Sequence, residues 1–289
     1  MPGHDTDSDW KEFGRTDPYW AVLTDDRFKG ENLTADNLAL FFDSGRQYMD
    51  WVFRTLREKL APDFTAKRGL DFGCGVGRLT LAMAKHVEEA VGVDVAPAML
   101  EKARRHVAEQ GIANAAFVQG DDALSNVTGT FDFLNSFIVF QHIPYERGLE
   151  YFRQMVGRLN PAGGGALHLL IGKQAYDAAP TRHFPTPQVR NINGSEHFKK
   201  AVALAKAKVK GKLFGRAEPE EPAPVAPEPT GPVMQMNAYP LNPFLRILQQ
   251  AGVRETYSVF TDHGGEYGAI IFFHKAPSWA DAGRANLFW

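Results

Sequence analysis

Residues Leu70 to Thr80 read LDFGCGVGRLT, and a second apolar run, VGVD, ends at Asp94, seventeen residues after Gly77. An apolar strand that ends in a glycine-rich turn and opens a helix is one half of a nucleotide-binding βα unit. A carboxylate at the end of the next strand completes it. Such a turn lets backbone approach a ligand where side chains would block it, and glycine does so without strain. The glycines Gly73, Gly75 and Gly77 are spaced G-x-G-x-G, not the G-x-G-x-x-G that aims a helix at a pyrophosphate. Asp71 just before them suits a ligand bearing an ammonium group better than one bearing phosphates. S-adenosylmethionine has an ammonium and a sulfonium and no phosphate. The competing readings are an ordinary strand-to-helix turn for the glycines and a helix cap before Ala96–Pro97 for Asp94.

Three further segments follow in order. They are AVGVDVAPAMLEK (Ala90–Lys102), FVQGDDA (Phe117–Ala123) and FDFLNSFIVFQHIP (Phe131–Pro144), with LNPAGGGALHLLI (Leu159–Ile171) beyond them. With the glycine turn, this series resembles the class I S-adenosylmethionine-dependent methyltransferases, whose first motif is a strand ending in D-x-G-C-G-x-G. The resemblance covers about residues 34–172 well and 238–275 loosely, and it implies a helix end, a turn and the fifth strand over Leu159–Ile171. It implies S-adenosyl-L-methionine as cofactor and S-adenosyl-L-homocysteine as product. It implies Asp94 as the ribose acid, Asp121 for the adenine amine and the Asp122 backbone for the ring nitrogen, with a plain surface turn as the alternative for both acids. Asn135 and Ser136 would meet the methionine end through backbone carbonyls. Arg78, Val95, Met99 and Gln141 complete the expected cofactor contacts, while Cys74 inside the turn reads as a packing choice.

The resemblance implies an α/β fold, a Rossmann-like doubly wound seven-stranded sheet with the last strand antiparallel. An N-terminal helical segment and an inserted cap or mobile region accompany it. Residues 1–62 then form an aromatic loop and helices covering the site, with 1–33 loop-like and 35–60 helical by period. Residues 63–172 form the cofactor-binding core and 173–240 an insert. Residues 241–275 form a helix and the last two β-rich runs, Glu255–Thr261 and Tyr267–His274, with the eight residues Asp262–Ala269 between their apolar stretches as a hairpin-like connection, and 276–289 are a tail. The insert holds a lysine-rich amphipathic stretch, Ser195–Phe214, then a Pro/Glu/Ala tract, Glu218–Pro232. The stretch suits either a lysine-solvated helix packed on the domain or weak contact with an anionic surface.

His142, with an ordinary pKa near ~6.5, is the candidate general base or a pocket-lining residue. By the strand order of the resembled fold, His263, Glu266 and Tyr267 are expected to face the acceptor, with His263 and Tyr267 as further catalytic candidates. Tyr19 and Trp20 either fold over the cofactor or anchor their segment to the core. The 32 Lys and Arg against 34 acids give a net charge of −2, which provides no overall field for nucleic acid. One cysteine cannot form an intramolecular disulfide, and no C-x-x-C or clustered His/Cys spacing suggests a metal. The acidic start lacks a signal pattern, and no apolar run reaches the ~18 residues a membrane span needs, so the expectation is cytoplasmic. The leading functional expectation is O-methylation of a small molecule or sugar. The alternatives are RNA or protein methylation gripped by the lysine-rich insert, and a non-catalytic cofactor-binding regulator or partner subunit.

Overall fold

The computed structural model describes residues 5–173, 188–190, 231–263 and 265–277. The lysine-rich stretch, most of the Pro/Glu/Ala tract and most of the tail lie outside the described residues.

Most of residues 5–33 are helical where the sequence suggested loop. Helix α1 spans Thr6–Thr16 and α2 spans Pro18–Val22. The Asp5 side chain caps α1 by accepting from the Asp7 N–H, Asp7 and Asp9 occupy the first turn, and Arg15 the last. These charges complement the helix dipole, a start-and-stop signal that the aromatic content of the segment obscured. Helix α3, Ala35–Lys59, is capped by Thr34 and buries Phe41, Phe42, Met49, Val52, Phe53 and Leu56, the periodic positions of the sequence.

Seven strands form one sheet. They are β1 (Arg68–Phe72), β2 (Glu89–Asp94), β3 (Ala115–Gln119), β4 (Phe131–Ser136), β5 (Leu159–Lys173), β8 (Val253–Asp262) and β9 (Glu266–Lys275). Two short strands, β6 (Gln188–Arg190) and β7 (Met234–Met236), pair antiparallel apart from it. The sheet order is β3-β2-β1-β4-β5-β9-β8, and β9 alone runs against its neighbours. From β1 the chain winds first toward β3 and then toward β8. The ends of β1 and β4 therefore flank the switch point, where open α/β sheets bind ligands.

Both faces of the sheet are covered, as parallel strands require. Leu70, Phe72, Val91, Val93 and Leu134 face α6 (Tyr145–Gly157) and α7 (Leu241–Gln250), meeting Phe152, Met155, Phe244 and Leu248. Phe133, Ala166, Ile270 and Phe272 face α3 and α4 (Arg78–Met83). Helix α5 (Pro97–Glu109) packs beside them with Met99, Leu100 and Ala103 buried.

Two boundaries differ from expectation. The segment from Leu159, read as a helix end and turn, already pairs with Phe131. A bulge between Phe131 and Phe133 on the partner side then lets Gly164 take up the register. Ala162 adopts φ 60° within it. The eight-residue connection between the last strands shrinks to residues 263–265, because Thr261–Gly268 and Asp262–Tyr267 extend the ladder. The Asp262 carboxylate accepts from the Gly265 N–H at 2.7 Å and closes the turn.

Gly148 in α6 fits under the Tyr239 ring, and a Cβ there would overlap Tyr239 Oη. Tyr239 cannot retreat, because its hydroxyl donates to the Ile143 carbonyl and its N–H to the Leu170 carbonyl. Gly148→Ala should lower unfolding free energy by ~1–3 kcal/mol despite the better helix propensity of alanine. Gly157→Ala, whose Cβ meets nothing within 4 Å, should be neutral or stabilising in the same urea titration.

Candidate active site

The glycine turn is stitched to the end of β2. The Gly73 and Cys74 N–H groups donate to the Val93 carbonyl at 2.8 and 3.0 Å. One Asp94 oxygen accepts from the Gly75 N–H at 2.8 Å and the other from the Ala96 N–H at 2.9 Å. The cap reading of Asp94 and its place in the site are thus compatible, since each carboxylate oxygen keeps a second lone-pair direction. Burial raises the Asp94 pKa, and the three backbone donors pull it back. Gly73, Gly75 and Gly77 have φ of 73°, 53° and 86°, a region where L side chains are strained.

Above the turn lies a cleft whose open space, mouth included, is about 810 Å³. Of the expected residues, Gly73, Gly75, Asp94, Val95, Met99, Asp121 and His142 line it. The Asp121 carboxylate already accepts from the Ala123 and Ser125 N–H groups and the Ser125 hydroxyl, so it also builds its own turn.

Several expected residues do not line this cleft. Asp71 is 2% exposed beneath the turn, where it accepts from Thr80 Oγ1 at 2.7 Å and Asn135 Nδ2 at 2.8 Å. Burial pushes its pKa up to about 6. Ser136 donates to the Phe72 carbonyl, so Asn135 and Ser136 point their side chains into the sheet interior. Arg78 is buried against α3, with Nη1 on Ser44 Oγ and its guanidinium over the Phe41 ring. Cys74 is buried, and burial pushes its thiol pKa up. The Asp122 carboxylate is held by Arg147 and Tyr151. Gln141 is buried, and its carbonyl accepts from the Asn237 N–H at 2.6 Å.

Tyr19 and Trp20 are anchors. Tyr19 Oη lies 2.8 Å from His106 Nε2, and His106 Nδ1 lies 3.1 Å from Glu109, tying α2 to α5. Trp20 packs on Phe13 with Lys29 over its ring. Their neighbours Ala21 and Val22 line the cleft instead. His263 is exposed at the β8–β9 turn with its ring 6.5 Å from Phe137, and Tyr267 is paired with Asp262 in the ladder.

Other lining residues were not legible in the sequence: Thr6, Asp7 and Trp10 on α1, Phe137–Val139 after β4, and Arg147 and Tyr151 on α6. Ile138 has φ 59°, a strained conformation for a β-branched residue of the kind that gathers at functional sites. Nothing in its side chain announces this. Arg147 clamps Asp7 through two bonds of 2.7 and 2.8 Å and also holds Asp122, joining α1 to the loop after β3.

His142 is 5% exposed, and its Nδ1 lies 2.8 Å from the Gln235 carbonyl. A carbonyl only accepts, so Nδ1 carries the proton and Nε2 the lone pair. The Trp10 ring sits 4.9 Å away, and Thr6 Oγ1 donates to the His142 carbonyl. Burial lowers the His142 pKa to about 4 and that of His168, in β5 beneath Phe137, to about 3. Among the described residues no group of three or more His, Cys, Asp or Glu could hold a metal, and no helix is long and apolar enough to cross a membrane.

Both histidines stay neutral in the folded chain while an unfolded histidine protonates near pH ~6.5. Between that pH and about 4 the unfolded state binds more protons, so stability falls with falling pH. Thermal melts from pH 7 to 4.5 should show this loss, with a shallower slope for His142→Asn. An unchanged slope in that variant would remove His142 from the linkage.

Residues 70–163 match a family described as a methyltransferase domain. A 2-heptyl-1-hydroxyquinolin-4(1H)-one methyltransferase of Mycobacteroides abscessus is 30% identical over 128 residues, 43% of this chain and 55% of that one. A 23S rRNA (uracil(1939)-C(5))-methyltransferase of Shewanella sediminis is 33% identical over 107 residues, 36% of this chain and 22% of that one. This chain thus spans little more than half the length of the first relative and under a quarter of the second. The crystal structure of magnesium protoporphyrin IX methyltransferase from Synechocystis PCC 6803 with bound SAH is similar in fold, with a TM-score of 0.54 at 17% identity, covering 94% of this chain and 100% of that one. Glycine turn, strand order and domain match agree: residues 70–163 carry a methyltransferase domain on a Rossmann-like sheet.

Proposed function

We propose that the chain transfers a methyl group from S-adenosylmethionine to a hydroxyl of a small molecule. The residues of the cleft fit the cofactor. Asp94 offers free lone pairs to ribose hydroxyls, and Val95, Met99 and Leu124 give an apolar bed for a base. Gly73 and Gly75 line the cleft with backbone, and Val139 and Val22 pack where their Cβ atoms would stand. When bound, the cofactor supplies an electrophilic methyl and its own leaving group. The protein then has to align the attacking oxygen, exclude water and receive a proton.

The observation that carries the reading is the fixed tautomer of His142 on the cleft wall. Its Nε2 lone pair accepts a hydrogen bond from the hydroxyl and orients one oxygen lone pair toward the methyl. A pKa of about 4 makes it a weak base for a free alcohol. The attacking oxygen becomes strongly acidic only as the new O–C bond forms, so a neutral imidazole suffices at that moment. An amine acceptor needs no such partner. Trp10 and the α1 lid, latched by Asp7 to Arg147, exclude water from the same wall. The hydroxyquinolone substrate named for the Mycobacteroides relative supports a hydroxyl-bearing small molecule.

The match to an rRNA methyltransferase keeps RNA as the second reading. Salt-sensitive RNA binding at low ionic strength would favour it.

His142→Ala should cut kcat by about 100-fold while calorimetric affinity for S-adenosylhomocysteine stays within about twofold. An unaltered kcat would leave His142 as lining only. The kcat/KM profile should stay flat from pH 8 through the ordinary histidine range and fall as pH approaches about 4, because the base form of His142 persists above that value. Asp94→Ala should instead weaken cofactor affinity, by about tenfold or more.

A further inference from the structure

The cleft wall on the β4 side differs in chemistry from the wall that would hold the nucleoside. Asp94 at the end of β2 and Gly120, Asp121 and Leu124 after β3 mark the nucleoside half. Strand order puts the β4 loop on the opposite side, toward the acceptor. That wall consists of Thr6, Trp10, Phe137, Ile138, His142 and Ile143. The partly exposed members, Trp10, Phe137, Ile138 and Ile143, are all apolar.

The polar groups on this wall are already committed. The Thr6 hydroxyl proton is given to the His142 carbonyl. The His142 Nδ1 proton is given to the Gln235 carbonyl. At the rim, both Asp7 oxygens are taken by Arg147, whose guanidinium is shared with Asp122. Besides the Trp10 indole N–H, the wall among the described residues therefore presents no uncommitted side-chain donor, and the ring nitrogen that still wants a partner is His142 Nε2, an acceptor. A sugar seated here would bury several hydroxyls that find no donor, and each such loss weakens binding. A planar apolar body suits Trp10 and Phe137, since aromatic rings stack or meet edge to face. One hydroxyl on that body satisfies the one open lone pair.

We infer that the acceptor is a planar, apolar molecule with a single hydroxyl at its methylated edge, such as a phenol or a hydroxylated fused-ring heterocycle, rather than a sugar or polyol. This deepens the O-methylation reading and rests on it for the identity of the methylated atom. The class of molecule is tested by binding alone, without turnover.

The full chain, saturated with S-adenosylhomocysteine, is titrated by calorimetry with 1-naphthol, 1-methoxynaphthalene and methyl α-glucoside. 1-Naphthol should bind about tenfold more tightly than 1-methoxynaphthalene, which lacks the donor for Nε2, and about tenfold more tightly than the glucoside. Trp10→Ala and Phe137→Ala should each weaken 1-naphthol binding several-fold and leave S-adenosylhomocysteine affinity unchanged. Trp10→Phe should restore most of the loss. Glucoside binding equal to or tighter than that of 1-naphthol, or no detectable binding of 1-naphthol, overturns the inference. Incubation of the same three compounds with S-adenosylmethionine is read separately by mass spectrometry. Tight 1-naphthol binding without methylation would leave the acceptor class standing and count against O-methyl transfer.

Discussion

Two hydrogen bonds that the Asp94 carboxylate accepts from the Gly75 and Ala96 N–H groups hold the rest of the site in place. The glycine turn has three residues at positive φ, a conformation that glycine permits but does not enforce. The carboxylate supplies the enforcement. It fixes the turn against the end of β2 and starts α5 at the same time, so Val95 and Met99 reach the cleft in register with Gly73 and Gly75. Below the turn, Asp71 does the complementary work from the buried side, binding Thr80 on α4 and Asn135 on β4. Two acids with similar places in the sequence thus act on opposite faces of the turn. One faces the ligand space and the other ties three elements together.

The sheet and the cofactor half of the cleft could be read from the sequence because their determinants are local. Strand, turn and helix lie within eleven residues, and the glycines and Asp94 have few other uses in that order. The acceptor half could not be read, because its determinants are long-range. His142 was visible as a candidate, but its tautomer and lowered pKa come from Gln235 and from burial under Trp10. Tyr19 and Trp20 draw attention as aromatics, and their rings lie against His106 and Phe13. The aromatic that does line the cleft, Trp10, sits on a helix whose start was signalled by Asp5 and Asp7. Asn135 and Ser136 end β4 as expected, yet the wall itself is made by the next three residues, turned outward at the strained Ile138.

The acceptor wall reads as a question of supply and demand among hydrogen-bonding groups. Apart from the Trp10 indole N–H, the polar side chains there give their donors to the protein's own carbonyls and carboxylates. A wall of this kind discriminates against polyols without any steric block, since it withholds partners. It also explains why His142 can be buried without an isolated charge. Neutrality at ordinary pH costs the fold little, and the histidine retains one lone pair for use.

The segment that holds His142 returns late in the chain. Val233 donates to Asp9, 224 positions away, Gln235 accepts from His142, 93 positions away, and Asp7 meets Arg147 across 140. The glycine turn can form as soon as β1, α4 and β2 are present, but the wall around His142 waits for residues near 239. Contacts of such separation close slowly, because the chain must first surrender the entropy of the intervening length. The two halves of one cleft therefore belong to different moments of folding. The nucleoside half forms with the early sheet, and the acceptor half is completed when the end of the chain arrives to bind its beginning.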